Sequence, residues 1–102
     1  MEWYNYLPIF FSGAFLSNAV PHFVQGVSGN KFPSPFAKPP GKGLSSATLN
    51  VFWGGFNIIV GYVLFYAGKT DLGNCVDAVV FFVGVMLMGV MLSSNFKTKH
   101  KE

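Results

Sequence analysis

The sequence predicts an all-α integral membrane protein with three transmembrane helices, and two observations carry this prediction. Only 11% of the 102 residues are charged and 51% are hydrophobic, whereas a soluble domain carries about 25% charged residues. The charges are also grouped, so that residues 3–30, 43–68 and 78–96 contain no Asp, Glu, Lys or Arg. Each window is close to the roughly 20 apolar residues that a helix needs to cross a bilayer. A soluble protein with three buried helices is the less favoured alternative.

The positions of the lysines predict the orientation of the helices. The net charge is +3 and all seven basic residues are Lys. The segment between the second and third windows has one of them, Lys69, whereas the other six lie between the first two windows or after the third: Lys31, Lys38, Lys42, Lys97, Lys99 and Lys101. Because cytoplasmic segments accumulate Lys and Arg, we expect an antiparallel up-down-up bundle with the N-terminus outside and the C-terminus cytoplasmic. The absence of Arg, which makes bidentate base and phosphate contacts, argues against a nucleic-acid partner.

One membrane domain, residues 1–102, is predicted. Helix one covers about 3–26, and Trp3, Tyr4 and Tyr6 at its start suit an interfacial aromatic belt. A cytoplasmic Pro-rich loop at about 27–44 leads to helix two at about 45–67, for which Ser45 or Ser46 is a suitable N-cap. A short outer loop at 68–76 precedes helix three at about 77–95 and a basic cytoplasmic tail at 96–102. Because the outer loop is short, helices two and three are expected to be antiparallel neighbours. A signal peptide cleaved near Ala19 is disfavoured, because "MEWYNY" has an acidic residue and no basic one.

A polar stripe on helix one is the candidate functional feature. Asn18, His22 and Gln25 are spaced by four and three residues, so they share one helix face. Pro21 lies among them as a predicted helix kink, and it leaves the carbonyl of Ser17 without its usual N–H donor.

The other two helices carry related patterns of small and polar residues. Helix two repeats the spacing with Asn50, Gly54, Asn57 and Gly61, and Gly84 begins a weaker version on helix three. Such residues allow close helix packing and hydrogen bonds between spans. We therefore predict that the stripe bonds helix one to helix two, with His22 level with Asn50 and Asn18 near Gly54.

The Pro-rich loop is a second candidate interaction site. Its lysines are suited to anionic lipid headgroups, and its phenylalanines either dip into the headgroup region or form a docking strip for a partner protein. The residues concerned are Phe32, Pro33, Pro35, Phe36 and Lys38.

The chemistry of the chain favours neither catalysis nor metal binding. His22 is a functional candidate because ionisable residues within membrane spans are uncommon. It stands alone, however, with no Asp or Glu in the predicted spans, so we predict no catalytic residue, metal site or cofactor. Cys75 is the only cysteine, which excludes an internal disulfide.

The segments "NAVPHFVQGVSGNKFPSPF" and "LNVFWGGFNIIVGY" resemble a family of small, uncharacterised bacterial integral membrane proteins of about this length. The resemblance rests on an N-x-x-P-H-F-V-x-G-x-x-G pattern and on residues after it: Asn18, Pro21, His22, Phe23, Gly26, Gly29, Pro33, Pro35, Asn50, Trp53 and Asn57. The resemblance implies a multi-pass protein of the bacterial cytoplasmic membrane, and it implies no particular activity for this chain. Small multidrug transporters are similar in size but have four helices and a membrane-embedded Glu that this chain lacks.

Three classes of function follow from these patterns. The favoured one is a small interaction or accessory subunit that packs through the polar face, in a homo-oligomer or against a larger membrane protein. The alternative is a small oligomeric channel or transporter with His22 near the cytoplasmic mouth of the path. An enzyme acting on a lipid or quinone is the least supported, because a single His among amides supplies too little chemistry.

Overall fold

The fold of this protein is all-helical apart from two strands of two residues each. The computed structural model describes residues 2–97, and three helices contain most of them: α1 (Tyr6–Val27), α2 (Ala47–Ala67) and α3 (Cys75–Phe96). One 3₁₀ turn, Trp3–Asn5, precedes α1, and the strands are β1 (Phe32–Pro33) and β2 (Leu44–Ser45). All three helices are long and apolar enough to cross a membrane. The predicted all-α class with three such helices is therefore confirmed.

The ends of α2 and α3 are defined by side-chain caps. Ser46 Oγ accepts a hydrogen bond from the N–H of Leu49 at 3.1 Å, which makes Ser46, of the two serines considered, the N-cap of α2. Asn74 Oδ1 accepts from the N–H groups of Val76 and Asp77 and begins α3. Each cap satisfies N–H groups that have no partner within the first turn of a helix.

One carboxylate corrects the expectation that the spans contain no Asp or Glu. Asp77 lies in the first turn of α3 and is only 2% exposed. Its Oδ2 accepts a hydrogen bond from the N–H of Asp71 at 3.0 Å. A carboxylate in the first turn interacts favourably with the helix dipole, so Asp77 fixes the short connection between α2 and α3.

The helix α1 lies between α2 and α3, and these two make few contacts with each other. The expectation that helices two and three are neighbours is therefore wrong over most of their length. The reason is the close approach of α1 to both. A Cβ on Gly54 of α2 would lie 2.8 Å from the backbone nitrogen of Phe23, and one on Gly84 of α3 would clash with the carbonyl oxygen of Phe10. Only residues without a side chain allow such contact between helix backbones.

The segment between α1 and α2 folds back over the helix ends. We call residues 28–46 the cap segment. Its strands β1 and β2 pair antiparallel, with Phe32 opposite Ser45 and Pro33 opposite Leu44. Lys42 Nζ donates to the carbonyl oxygen of Asn95 at 2.9 Å, and Asn95 Nδ2 donates to that of Gly41 at 2.9 Å. The cap segment therefore joins the start of α2 to the end of α3, which the sequence did not predict.

The basic tail was predicted for residues 96–102. Phe96 ends α3 and Lys97 follows it as the C-cap residue. Lys99 and Lys101 lie outside the described residues.

Candidate functional site

The polar stripe lies inside the interface between α1 and α2. Asn18 Nδ2 donates to Asn57 Oδ1 at 2.9 Å, and His22 Nδ1 lies 2.8 Å from Asn50 Oδ1. Asn50 and Asn57 are fully buried and His22 is 2% exposed. The structure thus brings together four of the five residues of the predicted polar face, and it places His22 level with Asn50.

The fifth residue of the predicted face, Gln25, does not join this interface. Its Oε1 accepts a hydrogen bond from Asn30 Nδ2 at 2.9 Å, on the exposed side of the cap segment. Gly54 also differs from expectation, because it packs on the backbone of Phe23 and not on Asn18. The residue that Asn18 reaches is Asn57, almost one turn further along α2.

Ser12 makes a polar contact between α1 and α2 that the spacing of the polar stripe did not predict. Its Oγ donates to the carbonyl oxygen of Gly61 at 2.7 Å, and the side chain is fully buried. At 100° per residue, Ser12 lies about 80° around the helix from His22, so a narrow polar face excludes it. A hydroxyl within an apolar window was the available signal, since such groups bond to neighbouring helices in membranes.

The hydrogen bonds of Asn50 determine which nitrogen of His22 carries a proton. Asn50 Nδ2 donates to the carbonyl oxygens of Phe32 at 2.9 Å and Ser46 at 3.0 Å, so its Oδ1 must accept. The Nδ1 of His22 is then the donor in the 2.8 Å contact. In a neutral imidazole the other nitrogen, Nε2, is an acceptor.

Aromatic rings surround His22 on the side of the cap segment. Phe32 packs edge-on against His22 with ring centres 5.6 Å apart, and Phe96 does so at 5.9 Å. Phe32 is 7% exposed and Pro33 is fully buried. The prediction that these two belong to a lipid-contact or docking strip is therefore wrong, because they fill the space above the helix ends.

The rest of the predicted strip does lie at the surface. Pro35, Phe36 and Lys38 are exposed. Phe36 packs edge-on against Trp53, with ring centres 5.2 Å apart, while it remains 60% exposed. The exposed part of the cap segment is thus smaller than the sequence predicted.

A small cavity lies beneath the cap segment, beside His22. Its volume is about 160 Å³, and it reaches from α1 and α2 to the last turn of α3; its walls include Asn18, His22, Pro33, Trp53, Leu92 and Phe96. The Nε1 of Trp53 is buried and has no hydrogen-bond partner. An unpaired buried N–H is uncommon, because it loses its hydrogen bonds to water.

The described residues offer little further reactive chemistry. Among residues 2–97 no three His, Cys, Asp or Glu side chains lie close enough together to hold a metal ion. Cys75 is a free, exposed thiol at the start of α3, at the opposite end of the helices from His22.

The chain matches no protein-family model, no curated protein and no solved structure. The class that the fold supports is therefore an all-α protein with three helices able to span a membrane. The resemblance to small bacterial membrane proteins stays a prediction.

Proposed function

We propose that this protein is a small multi-pass subunit of the bacterial cytoplasmic membrane, and that it binds either a second copy or a larger membrane protein. The cap segment and the C-terminus would lie on the cytoplasmic side, in an up-down-up arrangement. The lysine distribution supports this orientation, because six of the seven lysines then lie in the cytoplasm.

The hydrogen bonds of the polar face limit where such a partner binds. Asn18, His22, Asn50 and Asn57 pair with one another between α1 and α2. Those side chains therefore stabilise the chain itself. A partner helix needs another surface that also offers close approach and unsatisfied polar groups.

The groove between α1 and α3 is the observation that supports a partner helix. It is shallow, with a volume of about 410 Å³, and its lining includes Ser17, Pro21, Gly89 and Ser93. Pro21 lies within α1 and has no N–H, so the carbonyl of Ser17 lacks its helical donor. Within residues 2–97 the hydroxyls of Ser17 and Ser93 make no hydrogen bond to the chain.

Such groups are costly to leave against lipid, since hydrocarbon cannot satisfy them. A neighbouring transmembrane helix with a hydroxyl or amide side chain would satisfy them, and Gly89 would allow its backbone to approach. We infer that the partner helix lies in this groove.

Glycine substitutions test the proposal. A Cβ on Gly89 would lie 3.8 Å from Ser17 Oγ and one on Gly55 would meet nothing within 4 Å, so Gly89→Leu and its control Gly55→Leu should both preserve the fold. Gly89→Leu fills the groove and should lower the association constant by about 5-fold to 150-fold, since overpacking costs about 1–3 kcal/mol. The measurement is native mass spectrometry after gentle extraction. A monomeric wild type, or equal loss in both variants, would overturn the proposal.

A small oligomeric channel or transporter is the second candidate, and the cavity beside His22 favours it. Its weakness is that the polar side chains which would line a path already pair with each other. The buried carboxylate of Asp77 lies at the other end of the helices. This candidate predicts proton or cation flux in liposomes that His22→Asn reduces, and no flux above that of empty liposomes would exclude it.

A further inference from the structure

The cavity beneath the cap segment is lined by one hydrogen-bond donor and one hydrogen-bond acceptor that have no partner within residues 2–97. Trp53 Nε1–H is a buried donor without a partner. His22 Nε2 is an acceptor, because Nδ1 donates to Asn50, and the structure shows no partner for Nε2 within residues 2–97. Both side chains line the same cavity, with ring centres 6.3 Å apart.

The other polar side chains at the cavity already make hydrogen bonds within the chain. Asn18 bonds Asn57, Ser34 bonds Ser45, and Asn95 bonds the carbonyl of Gly41. A volume of about 160 Å³ would correspond to about five water molecules, each of which needs two to four polar partners. The cavity is partly open, and its two free polar groups lie beside a mostly apolar wall. An occupant with one polar end and an apolar body matches this lining better than water alone.

The residues of the cavity walls indicate what kind of apolar ligand would fit. Among residues 2–97 they include Pro33, Leu92, Phe96 and the indole of Trp53, and no Asp, Glu, Lys or Arg. A charged ligand would be costly in such surroundings. Aromatic side chains favour a flat ring packed against their faces and edges. An apolar cavity of about 150 Å³ is known to hold one benzene molecule, so the size suits a single ring.

From these observations we propose that the cavity binds an uncharged single-ring phenol or hydroquinone. The ring hydroxyl would donate to His22 Nε2 and accept from Trp53 Nε1–H. The cap segment would cover the bound ring, since Asn50 holds β1 directly above His22 through the carbonyl oxygen of Phe32. The site shares Leu92 and Phe96 with the groove proposed for the partner helix, but ring binding does not require that partner.

The test uses the indole N–H of Trp53 as a reporter in the full-length protein, labelled with ¹⁵N-tryptophan in lipid nanodiscs. Phenol is the probe, and benzene is the matched ring without a hydroxyl. We expect a saturable shift of the Trp53 signal with phenol, and affinity at least about tenfold weaker for benzene, because one buried hydrogen bond is worth about that factor. The indole of Trp3, which is 74% exposed, is the internal control and should not show saturation.

A variant separates hydrogen bonding from shape. His22→Asn places an amide N–H where Nδ1 donates to Asn50 and removes the Nε2 acceptor. It should weaken phenol about tenfold and leave benzene unchanged, whereas a change of cavity shape would alter both. Equal affinities for the two rings in the wild type, or no saturable shift of Trp53, would overturn the proposal whether or not the variant folds.

A second pair of probes identifies the route by which the ring arrives. Phenol reaches the protein from both water and lipid, whereas a hydroquinone with a long alkyl tail is delivered only in the nanodisc lipid. Saturation by both supports a cavity open to the bilayer, and saturation by phenol alone supports the same site closed to a ligand with a lipid tail.

Discussion

Asn50 joins three parts of the chain through one side chain. Its Oδ1 accepts from His22 on α1, and its Nδ2 donates to the carbonyl oxygen of Phe32 in β1 and to that of Ser46 at the start of α2. The bonds to His22 and Phe32 are buried, and an unpaired group in such a place costs about 1–3 kcal/mol. At the scale of single residues, the loss of the Asn50 side chain thus leaves two buried polar groups, His22 Nδ1 and the carbonyl of Phe32, without these bonds.

Replacing Asn50 by Leu should destabilise the protein and release the cap segment. The variant leaves His22 Nδ1 and the carbonyl of Phe32 without partners, so we expect a loss of about 2–4 kcal/mol in the free energy of unfolding. Thermal unfolding in mild detergent, followed by circular dichroism, measures this loss. Hydrogen exchange of the backbone at Phe32 should also accelerate.

Asn30→Leu is the matched control for this prediction. Asn30 is an exposed Asn of the cap segment whose side chain bonds Gln25 at the surface, so its loss should change stability by less than about 0.5 kcal/mol. Equal effects of the two substitutions would contradict the role assigned to Asn50.

At the scale of helices, the contact between α1 and α3 depends on two glycines. Gly13 of α1 faces the carbonyl of Phe81, and Gly84 of α3 faces that of Phe10, each so closely that a Cβ would clash with the opposing backbone. Backbone atoms cannot move aside as a flexible side chain does, so any larger residue must separate the helices.

Gly84→Ala should therefore weaken the packing of α3 on α1. We expect a loss of about 3 kcal/mol or more, because overpacking against backbone forces the elements apart. Gly89→Ala is the control on the same helix, since its Cβ would make an ordinary contact at 3.8 Å with Ser17 Oγ. The comparison uses thermal unfolding midpoints, and a midpoint for Gly84→Ala that matches the control would refute the close approach.

At the scale of the whole molecule, the proposed orientation can be tested with the single cysteine. Cys75 is exposed and is the first residue of α3, at the end of the helices that the lysine distribution assigns to the outside. A membrane-impermeant maleimide should therefore label Cys75 in intact cells. A cysteine in the cap segment, made as Pro40→Cys in a Cys75→Ser background, should be labelled only after the cells are permeabilised. The reverse labelling pattern would show that the C-terminus lies outside and would contradict the proposed orientation.

Several features followed from the sequence because they depend on composition and local spacing. The absence of fixed charges over three windows predicts three apolar helices, since helices satisfy their own backbone groups in lipid. The four-and-three spacing of Asn18 and His22, repeated by Asn50 and Asn57, places those side chains on matching faces. Ser46 as a cap is equally local, because its partner is three residues away.

The tertiary structure decided which surfaces meet. No local pattern shows that α1 lies between α2 and α3, because that depends on the backbone approach at Gly54 and Gly84, which pair residues far apart in the chain. The cap segment likewise folds inward because Asn50 and Phe96, both distant in sequence, supply a hydrogen bond and an aromatic surface for Phe32. The cavity with its unpaired Trp53 nitrogen forms only where these segments converge, so the sequence could not reveal it.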